Sequence, residues 1–144
     1  MKRYVIGVDY GSDSARAVVI DVTTGRELAE CAAQYPRWSK GKYQEPSLRM
    51  FRQHPLDYIE ALEASVRGAL EKAGPDIGTA VAAIAIDTTG STPCPVDAGG
   101  TPLSLLPEFS EEPDAMFHLW KDHSAIEEAG EITEVFTNNG EGVD

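Results

Sequence analysis

The sequence has few cysteines and no long apolar run, and each shortage excludes a class of protein. Its two cysteines, Cys31 and Cys94, lie far apart among the 144 residues and form no CxxC pair of the kind found in metal or redox sites. Two isolated thiols suit a reducing compartment, so we expect a cytoplasmic protein. No run of about 18 apolar residues occurs, and the first residues lack the long apolar region of a secretory signal, so the sequence predicts no membrane contact.

Basic side chains are also scarce, because 12 lysines and arginines stand against 24 aspartates and glutamates. An acidic surface repels a phosphate backbone, which excludes nucleic acid as an expected partner. The same surface repels free nucleotides. A nucleotide site in this chain must therefore be local, and it must use backbone N–H groups and a bound cation. The hydrophobic content of 42% is enough for one compact domain.

The first third of the chain predicts an antiparallel meander. Short β-branched runs predict strands at residues 4–9 and 15–21, and a third run, ambiguous because of its alanines, predicts a strand at residues 27–35. Turn-forming residues separate the three runs. Residues 37–50 are polar and broken by proline and glycine, so they predict a long loop.

The rest of the chain predicts alternating helix and strand. Apolar residues at helical spacing follow Pro55 and continue to Ala73, where Gly74 and Pro75 end the predicted helix. Residues 81–86 form a solid apolar run and predict a central strand. Further predicted elements are a short strand at 94–97, a strand or extended segment at 116–121, a helix at 125–136 capped by Ser124, and an irregular tail at 137–144.

The turn between the first two predicted strands carries the first chemical pattern. Asp9 ends a buried strand, where a carboxylate can hold Mg²⁺. Gly11 lets the backbone approach a phosphate closely. The run Ser12, Asp13 and Ser14 presents backbone N–H groups, which bind anions without any net positive charge. An ordinary hairpin turn can carry the same short pattern, so both interpretations remain open from the residues alone.

A second polar turn, Thr89-Gly90-Ser91-Thr92, follows the apolar run at residues 81–86. Ligands of open sheets bind beyond strand ends, Gly90 allows close approach, and Ser91 and Thr92 carry hydroxyls that suit a polyol. The alternative is a turn whose hydroxyls serve only its own backbone, and spacing alone favours that alternative.

A third group of residues allows both a structural and a functional interpretation. In the structural interpretation, Trp120 is a core residue, as a tryptophan in an apolar segment usually is, and Lys121 and Asp122 could form a weak surface pair. The histidines lack the spacing of metal ligands and are predicted to be structural: His54, His118 and His123.

The glycine-bearing hairpin resembles the first phosphate motif of actin-like ATPases, and the wider sequence resembles the FGGY carbohydrate kinases, above all the ribulokinases. Four segments carry this resemblance, in order and with compatible spacing: YPRW at 35–38, HPLDY at 54–58, DTTGSTP at 87–93 and LWKDH at 119–123. The resemblance implies an α/β fold of the ribonuclease H type, with a mixed sheet and helices on both faces. It also implies that residues 1–144 are the first part of the kinase's amino-terminal domain, which they leave incomplete.

The resemblance further implies an activity and its site residues. The intact enzyme would phosphorylate L-ribulose at O5 in L-arabinose catabolism, with ATP and Mg²⁺ as cofactors, and it would allow a homodimer. Asp9 would be the metal-side carboxylate. The ATP site would comprise Asp9, Gly11, Ser12, Asp13, Ser14 and Arg16, although Arg16 also suits a role flanking the strand. The sugar site would comprise Thr89, Gly90, Ser91, Thr92, Trp120 and Lys121.

The expected chemistry is incomplete within this sequence. Phosphoryl transfer needs held phosphates, a positioned hydroxyl and a base. The catalytic aspartate of FGGY kinases lies downstream of the motifs found here, so no catalytic residue is assigned and the chain alone is expected to be inactive. Two alternatives remain, namely an FGGY kinase for xylulose, ribitol or glycerol, and a non-catalytic remnant that binds a sugar or a nucleotide.

Overall fold

A computed structural model describes residues 3–138, which form a four-stranded sheet, a small three-stranded sheet and two α-helices. The strands are β1 (Tyr4–Tyr10), β2 (Ser14–Asp21), β3 (Arg26–Gln34), β4 (Gln44–Glu45), β5 (Met50–Gln53), β6 (Val81–Thr88) and β7 (Phe117–His118). The helices are α1 (Pro55–Ala73) and α2 (Ile126–Asn138). None of the helices in the described range is long and apolar enough to cross a membrane.

The larger sheet has the strand order β3-β2-β1-β6. β1 pairs antiparallel with β2, and β2 pairs antiparallel with β3, which confirms the predicted meander. β6 lies parallel to β1 on its other side. Parallel neighbours need a long crossover, and α1 is the helix of that crossover. The smaller sheet has the order β4-β5-β7.

The core lies between the larger sheet and α1. Alternate residues of β1 and β2 point to this side and are buried, as expected for strands with one face against a helix. The strand residues are Tyr4, Ile6, Val8, Tyr10, Ala15, Ala17 and Val19. From α1, the small residues Ala61, Ser65 and Ala69 are fully buried, so the helix approaches the sheet closely.

The predicted bounds of α1 are confirmed, and both ends have a physical cause. Pro55 takes the first helical position, where its missing N–H costs nothing. His54 caps the helix, because its Nδ1 accepts a hydrogen bond from the Leu56 N–H at 3.1 Å. Gly74 ends the helix with a positive φ of 124°, and its N–H donates to the Leu70 carbonyl at 3.1 Å.

The structure differs from the sequence-based expectations in three places. β6 is an edge strand of the described sheet, not a central one, and Ile84 and Ile86 on it are 54% and 60% exposed. The apolar run forms the predicted strand, but composition does not reveal which neighbours a strand has. Residues 94–97 form no strand; a single bridge joins Val96 and Pro102 instead. The predicted loop at 37–50 contains β4 and short 3-10 turns.

The end of the chain also differs. α2 runs to Asn138, so residues 137 and 138 are helical rather than irregular. The remaining part of the predicted tail, residues 139–144, lies outside the described residues. At the other end of α2, the helix begins at Ile126, and the Ser124 hydroxyl lies 2.7 Å from a carboxylate oxygen of Asp122.

The close approach of α1 to β3 depends on a missing side chain. A Cβ at Gly68 would lie 2.5 Å from Cys31 Sγ and 3.3 Å from Cys31 Cβ. We predict that Gly68→Ala lowers the free energy of unfolding by about 1 kcal/mol, since overpacking outweighs the better helix propensity of alanine. In a Cys31→Ala background the same change should be neutral or stabilising. Urea unfolding of the four proteins checks this, and an equal loss in both backgrounds would contradict it.

Candidate functional site

The hairpin between β1 and β2 is held from outside by hydrogen bonds to three consecutive carbonyls. The Tyr35 hydroxyl donates to the Gly11 carbonyl at 2.9 Å, and Gln53 Nε2 donates to the Ser12 carbonyl at 2.7 Å. The Tyr35 N–H donates to the Asp13 carbonyl at 3.1 Å. Because the carbonyls are satisfied by the protein, the tip has one fixed conformation.

The N–H groups of the same tip are arranged differently. The Gly11 N–H donates to the Ser14 carbonyl at 2.9 Å and closes the turn. Within residues 3–138, the N–H groups of Ser12 and Asp13 have no acceptor. Two adjacent free N–H groups on one turn can together bind an anion. The predicted phosphate-binding geometry is therefore available at this hairpin.

Among the predicted ATP-site residues, Asp13 uses its side chain within the protein. Its carboxylate accepts a hydrogen bond from Trp38 Nε1 at 2.7 Å. The Trp38 ring is 7% exposed and lies beside the hairpin. Asp13 therefore offers its backbone N–H to a ligand, whereas its carboxylate fixes the turn against Trp38.

Asp9 and Arg16 lie opposite each other across β1 and β2, on the sheet face away from α1. On the other side of Asp9, its neighbour on β6 is Asp87. All three residues line a groove of about 350 Å³. Arg16 also reaches to 3.6 Å from Glu30, where both side chains are more than half exposed. The structure therefore brings Asp9 and Arg16 together.

Asp87 was not among the predicted site residues, although it ends the apolar run as Asp9 ends the first strand. The pairing of β1 with β6, which sequence alone does not reveal, places the two carboxylates side by side. In the part of the chain that is described, no group of three or more histidine, cysteine or acidic residues could hold a metal ion. A cation at Asp9 would therefore need ligands from water or a bound phosphate.

A separate cavity of about 380 Å³ joins the second polar turn to the LWKDH segment. Ser91 and Pro93 line it from the turn, and His118, Trp120 and His123 line it from the other side. Trp120 is 58% exposed, so the composition-based prediction of a core residue is wrong. The structure brings the predicted residues Ser91 and Trp120 to one cavity, and it adds two histidines.

The hydroxyls of the polar turn divide between two roles. Thr92 Oγ1 donates to the Gly90 carbonyl at 3.2 Å and lies 3.4 Å from Thr89 Oγ1. The hydroxyls of these two threonines therefore bond within the turn, as expected in the alternative in which the turn serves only its own backbone. Ser91 has a positive φ of 54°, an uncommon conformation for a residue other than glycine, and it lies at the cavity.

The two residues that follow Trp120 have their main contacts elsewhere, although Asp122 also borders this cavity. The Lys121 Nζ lies 4.9 Å from the ring centroid of Trp38 and 4.7 Å from that of Phe51. Asp122 forms a nearly buried ion pair with Arg52 and accepts the Phe51 N–H at 2.6 Å. Lys121 and Asp122 therefore do not form the surface pair that the structural interpretation allowed, because each side chain has a different partner.

Lys121 instead lines a second cavity of about 550 Å³ together with Asp13 and Trp38. This cavity adjoins the hairpin between β1 and β2, because Asp13 lines it. Although Lys121 was grouped with the predicted sugar site, it lies with the hairpin and not with Ser91.

A buried carboxylate, absent from the predicted site, holds Trp38 in place. Asp57 in the first turn of α1 is fully buried. It accepts the N–H groups of Arg37 and Trp38, both at 3.0 Å, and a guanidinium N–H of Arg37 at 2.9 Å. Arg37 bonds Glu60 as well, at 3.0 Å. The Arg37 guanidinium holds the pKa of Glu60 below its ordinary value.

Three tyrosines form a stacked group beneath the hairpin. The ring centroids of Tyr10 and Tyr58 are 5.3 Å apart, and those of Tyr35 and Tyr58 are 5.0 Å apart. Burial raises the pKa of each hydroxyl, that of Tyr58 to about 12. The Tyr35 hydroxyl therefore stays protonated at neutral pH and remains a donor to Gly11.

His54 has the structural role that the sequence predicted. Burial lowers its pKa below the ordinary 6.5, and the nearby Arg37 lowers it further. The ring is therefore neutral at physiological pH, which its helix-capping Nδ1 requires. His118 and His123 lie at the cavity with Trp120, so for these two the prediction of a purely structural role remains untested.

Comparison with known proteins identifies the relatives of this chain. It is 44% identical to the ribulokinase of Vibrio parahaemolyticus over 134 residues, which are 93% of this chain and 24% of that protein. It is 40% identical to the ribulokinase of Geobacillus thermodenitrificans over 147 residues, which cover 97% of this chain and 25% of that protein. The chain is a homologue of the ribulokinases. It spans about a quarter of the length of these curated relatives.

The fold has a counterpart among solved structures. The crystal structure of gluconate kinase from Lactobacillus acidophilus matches 97% of this ribulokinase homologue and 23% of its own chain, with a TM-score of 0.64 and 18% sequence identity. This likeness confirms the predicted α/β fold of the actin-like ATPases. No protein-family model matches the chain.

The burial of Asp57 generates a stability prediction. Asp57→Ala leaves the N–H groups of Arg37 and Trp38 without an acceptor, so it should lower the free energy of unfolding by about 3 kcal/mol. Glu63→Ala is the matched control, because Glu63 pairs with Arg67 on the exposed face of the same helix. Its cost should stay below about 0.5 kcal/mol. Urea unfolding measures both, and equal costs would contradict a special role for Asp57.

The lowered pKa of His54 generates a pH prediction. As the pH falls through the ordinary value of 6.5, unfolded His54 gains a proton that the folded ring resists, so the domain loses stability. His54→Asn keeps a cap acceptor but does not titrate. We expect the loss in unfolding free energy between about pH 7.5 and about pH 5.5 to shrink in this variant. A full loss in His54→Asn would contradict the assignment.

Proposed function

We propose that the protein carrying this chain transfers a phosphoryl group from MgATP to L-ribulose, forming L-ribulose 5-phosphate. In this proposal the chain supplies the first phosphate-binding turn and part of the sugar pocket. The observation that carries the proposal is the fixed hairpin of a ribulokinase homologue, in which the Ser12 and Asp13 N–H groups are free while the tip carbonyls are held by the protein.

The nucleotide side of the proposal follows from charge. An acidic chain can bind a polyphosphate only where local donors offset repulsion, and the free N–H groups provide such donors without adding charge. Mg²⁺, when bound, neutralises phosphate charge and is held by oxygen ligands. Asp9 offers a carboxylate beside the hairpin, and Arg16 offers a cation opposite it. These residues fit a magnesium–phosphate complex that completes its coordination with water.

The sugar side of the proposal uses the cavity between the polar turn and Trp120. A pentulose has an apolar C–H face and several hydroxyls. The exposed ring of Trp120 can pack on the C–H face, while Ser91, His118 and His123 can exchange hydrogen bonds with the hydroxyls. L-ribulose is proposed because the relatives that match this chain are ribulokinases.

The proposed reaction needs groups beyond those assigned here. No residue of this chain is proposed as the base that accepts the proton of the sugar hydroxyl. We therefore propose that the base and the rest of the nucleotide site belong to the part of a ribulokinase that this chain does not span. A kinase for another sugar remains the second candidate, since the sugar cavity contains few residues that distinguish one polyol from another.

A chimera tests the proposal directly. This chain would replace the matching segment of the Vibrio parahaemolyticus ribulokinase, and ADP release would be measured with L-ribulose, D-xylulose, ribitol and glycerol. We expect the highest kcat/KM with L-ribulose. Asp9→Asn should lower kcat/KM by at least about 100-fold, as expected when a group that holds transition-state charge is lost. The matched control Asp76→Asn, in an exposed turn, should have no effect.

Two outcomes would contradict the proposal. A folded chimera that prefers another polyol would assign this chain to a different sugar kinase. A folded chimera without activity on any of the four substrates would favour a binding domain that has no part in catalysis. The isolated chain, assayed in the same way, is expected to release no ADP above background.

A further inference from the structure

Three consecutive side chains of the LWKDH segment make different contacts, although Trp120 and Asp122 both border the proposed sugar cavity. Trp120 lines the proposed sugar cavity, Lys121 lies over aromatic rings beside the hairpin, and Asp122 pairs with the buried Arg52. The backbone of the segment is itself held, because the Leu119 N–H donates to the Phe51 carbonyl at 3.2 Å. A short and well-anchored piece of chain therefore touches both proposed ligand sites.

The Lys121 ammonium group lies over aromatic rings instead of pairing with a carboxylate. Its Nζ lies within 5 Å of the centroids of Trp38 and Phe51, inside the range in which a cation is attracted to a ring face. Among the residues that the structure describes, no carboxylate lies within 4.0 Å of this Nζ, although the sequence has 24 acidic residues. The position of the ammonium group is therefore set chiefly by the two aromatic side chains.

Trp38 connects Lys121 to the phosphate hairpin. The Lys121 ammonium lies over the Trp38 ring, and the Trp38 indole N–H donates to the Asp13 carboxylate at 2.7 Å. Its backbone is fixed by Asp57, which accepts the Trp38 N–H at 3.0 Å. Since the backbone is fixed, the remaining freedom is the orientation of the ring, and a displaced ring would release Asp13.

We propose that Lys121 is a positioning residue for the nucleotide hairpin, which it holds through Trp38. Lys121 lines the cavity beside Asp13 and Trp38 and not the proposed sugar cavity, even though it follows Trp120 in the chain. The identity of the two ligands rests on the proposed function. The chain of contacts from Lys121 through Trp38 to Asp13, which we call the clamp, does not depend on that function.

The clamp is tested first in the ligand-free chain by NMR. The sequence has two tryptophans, so the ¹⁵N spectrum has two indole N–H signals, and Trp120→Phe assigns them. Lys121→Met keeps the length of the side chain but removes its charge. We expect the Trp38 indole N–H to exchange with solvent about fivefold to tenfold faster, as fits the loss of a cation–π contact. The amide signals of Ser12 and Asp13 should shift as well.

Two further variants separate the clamp from a general loss of structure. Lys121→Arg retains a cation over the rings and should restore slow exchange. Lys42→Met removes a lysine whose Nζ lies 5.7 Å from the Tyr43 ring centroid, and it should leave the exchange of the Trp38 indole N–H unchanged. Unchanged exchange in Lys121→Met would overturn the proposal, and so would equal behaviour of Lys121→Met and Lys121→Arg.

The chimera gives the corresponding kinetic test. Lys121→Met should raise KM for MgATP about fivefold, as expected when a binding turn loses a cation–π contact that preorganises it, and leave KM for L-ribulose nearly unchanged. A rise in KM for L-ribulose alone would overturn the proposal, because Lys121 would then act on the sugar. If the unmodified chimera has no kinase activity, the proposed function fails, while the NMR measurement still decides whether the clamp exists.

Discussion

The hydrogen bonds that hold the carbonyls of residues 11–13 are the constraint on which the rest of the site depends. Tyr35 and Gln53 donate to these carbonyls from outside the hairpin, and Trp38 holds the Asp13 carboxylate. A turn pinned in this way keeps its free N–H groups in one orientation. An acidic protein needs such preorganisation, because it cannot rely on long-range attraction to bind an anion.

The elements that hold the hairpin are themselves held by buried charge. Asp57 fixes the backbone at Arg37 and Trp38, and the Arg52–Asp122 pair fixes the LWKDH segment against β5. Buried ion pairs are often no better for stability than apolar packing, yet breaking one is costly. Here they fix the conformations of two loops that carry proposed ligand-binding residues. The acidic composition of the chain thus includes carboxylates with specific structural tasks.

The proposed sites occupy different parts of the same framework. Asp9 and the hairpin lie at the carboxyl end of β1, and the polar turn with Ser91 follows the parallel strand β6. Parallel strands bring their carboxyl ends to one edge of the sheet, which is where ligands of open sheets bind. The homology to ribulokinases gives these positions a chemical interpretation, and the link from Lys121 through Trp38 to Asp13 adds a physical connection between them.

Local patterns in the sequence determined the meander, helix α1 with both its ends, and the positions of the two polar turns, because these features depend on residues close together in the chain. Tertiary structure alone decided the features that need distant partners. It placed Asp87 beside Asp9, paired Asp122 with Arg52, exposed Trp120 and turned Lys121 toward Trp38. It also made β6 an edge of the described sheet, since an apolar run has the same composition whether one neighbour or two lie beside it.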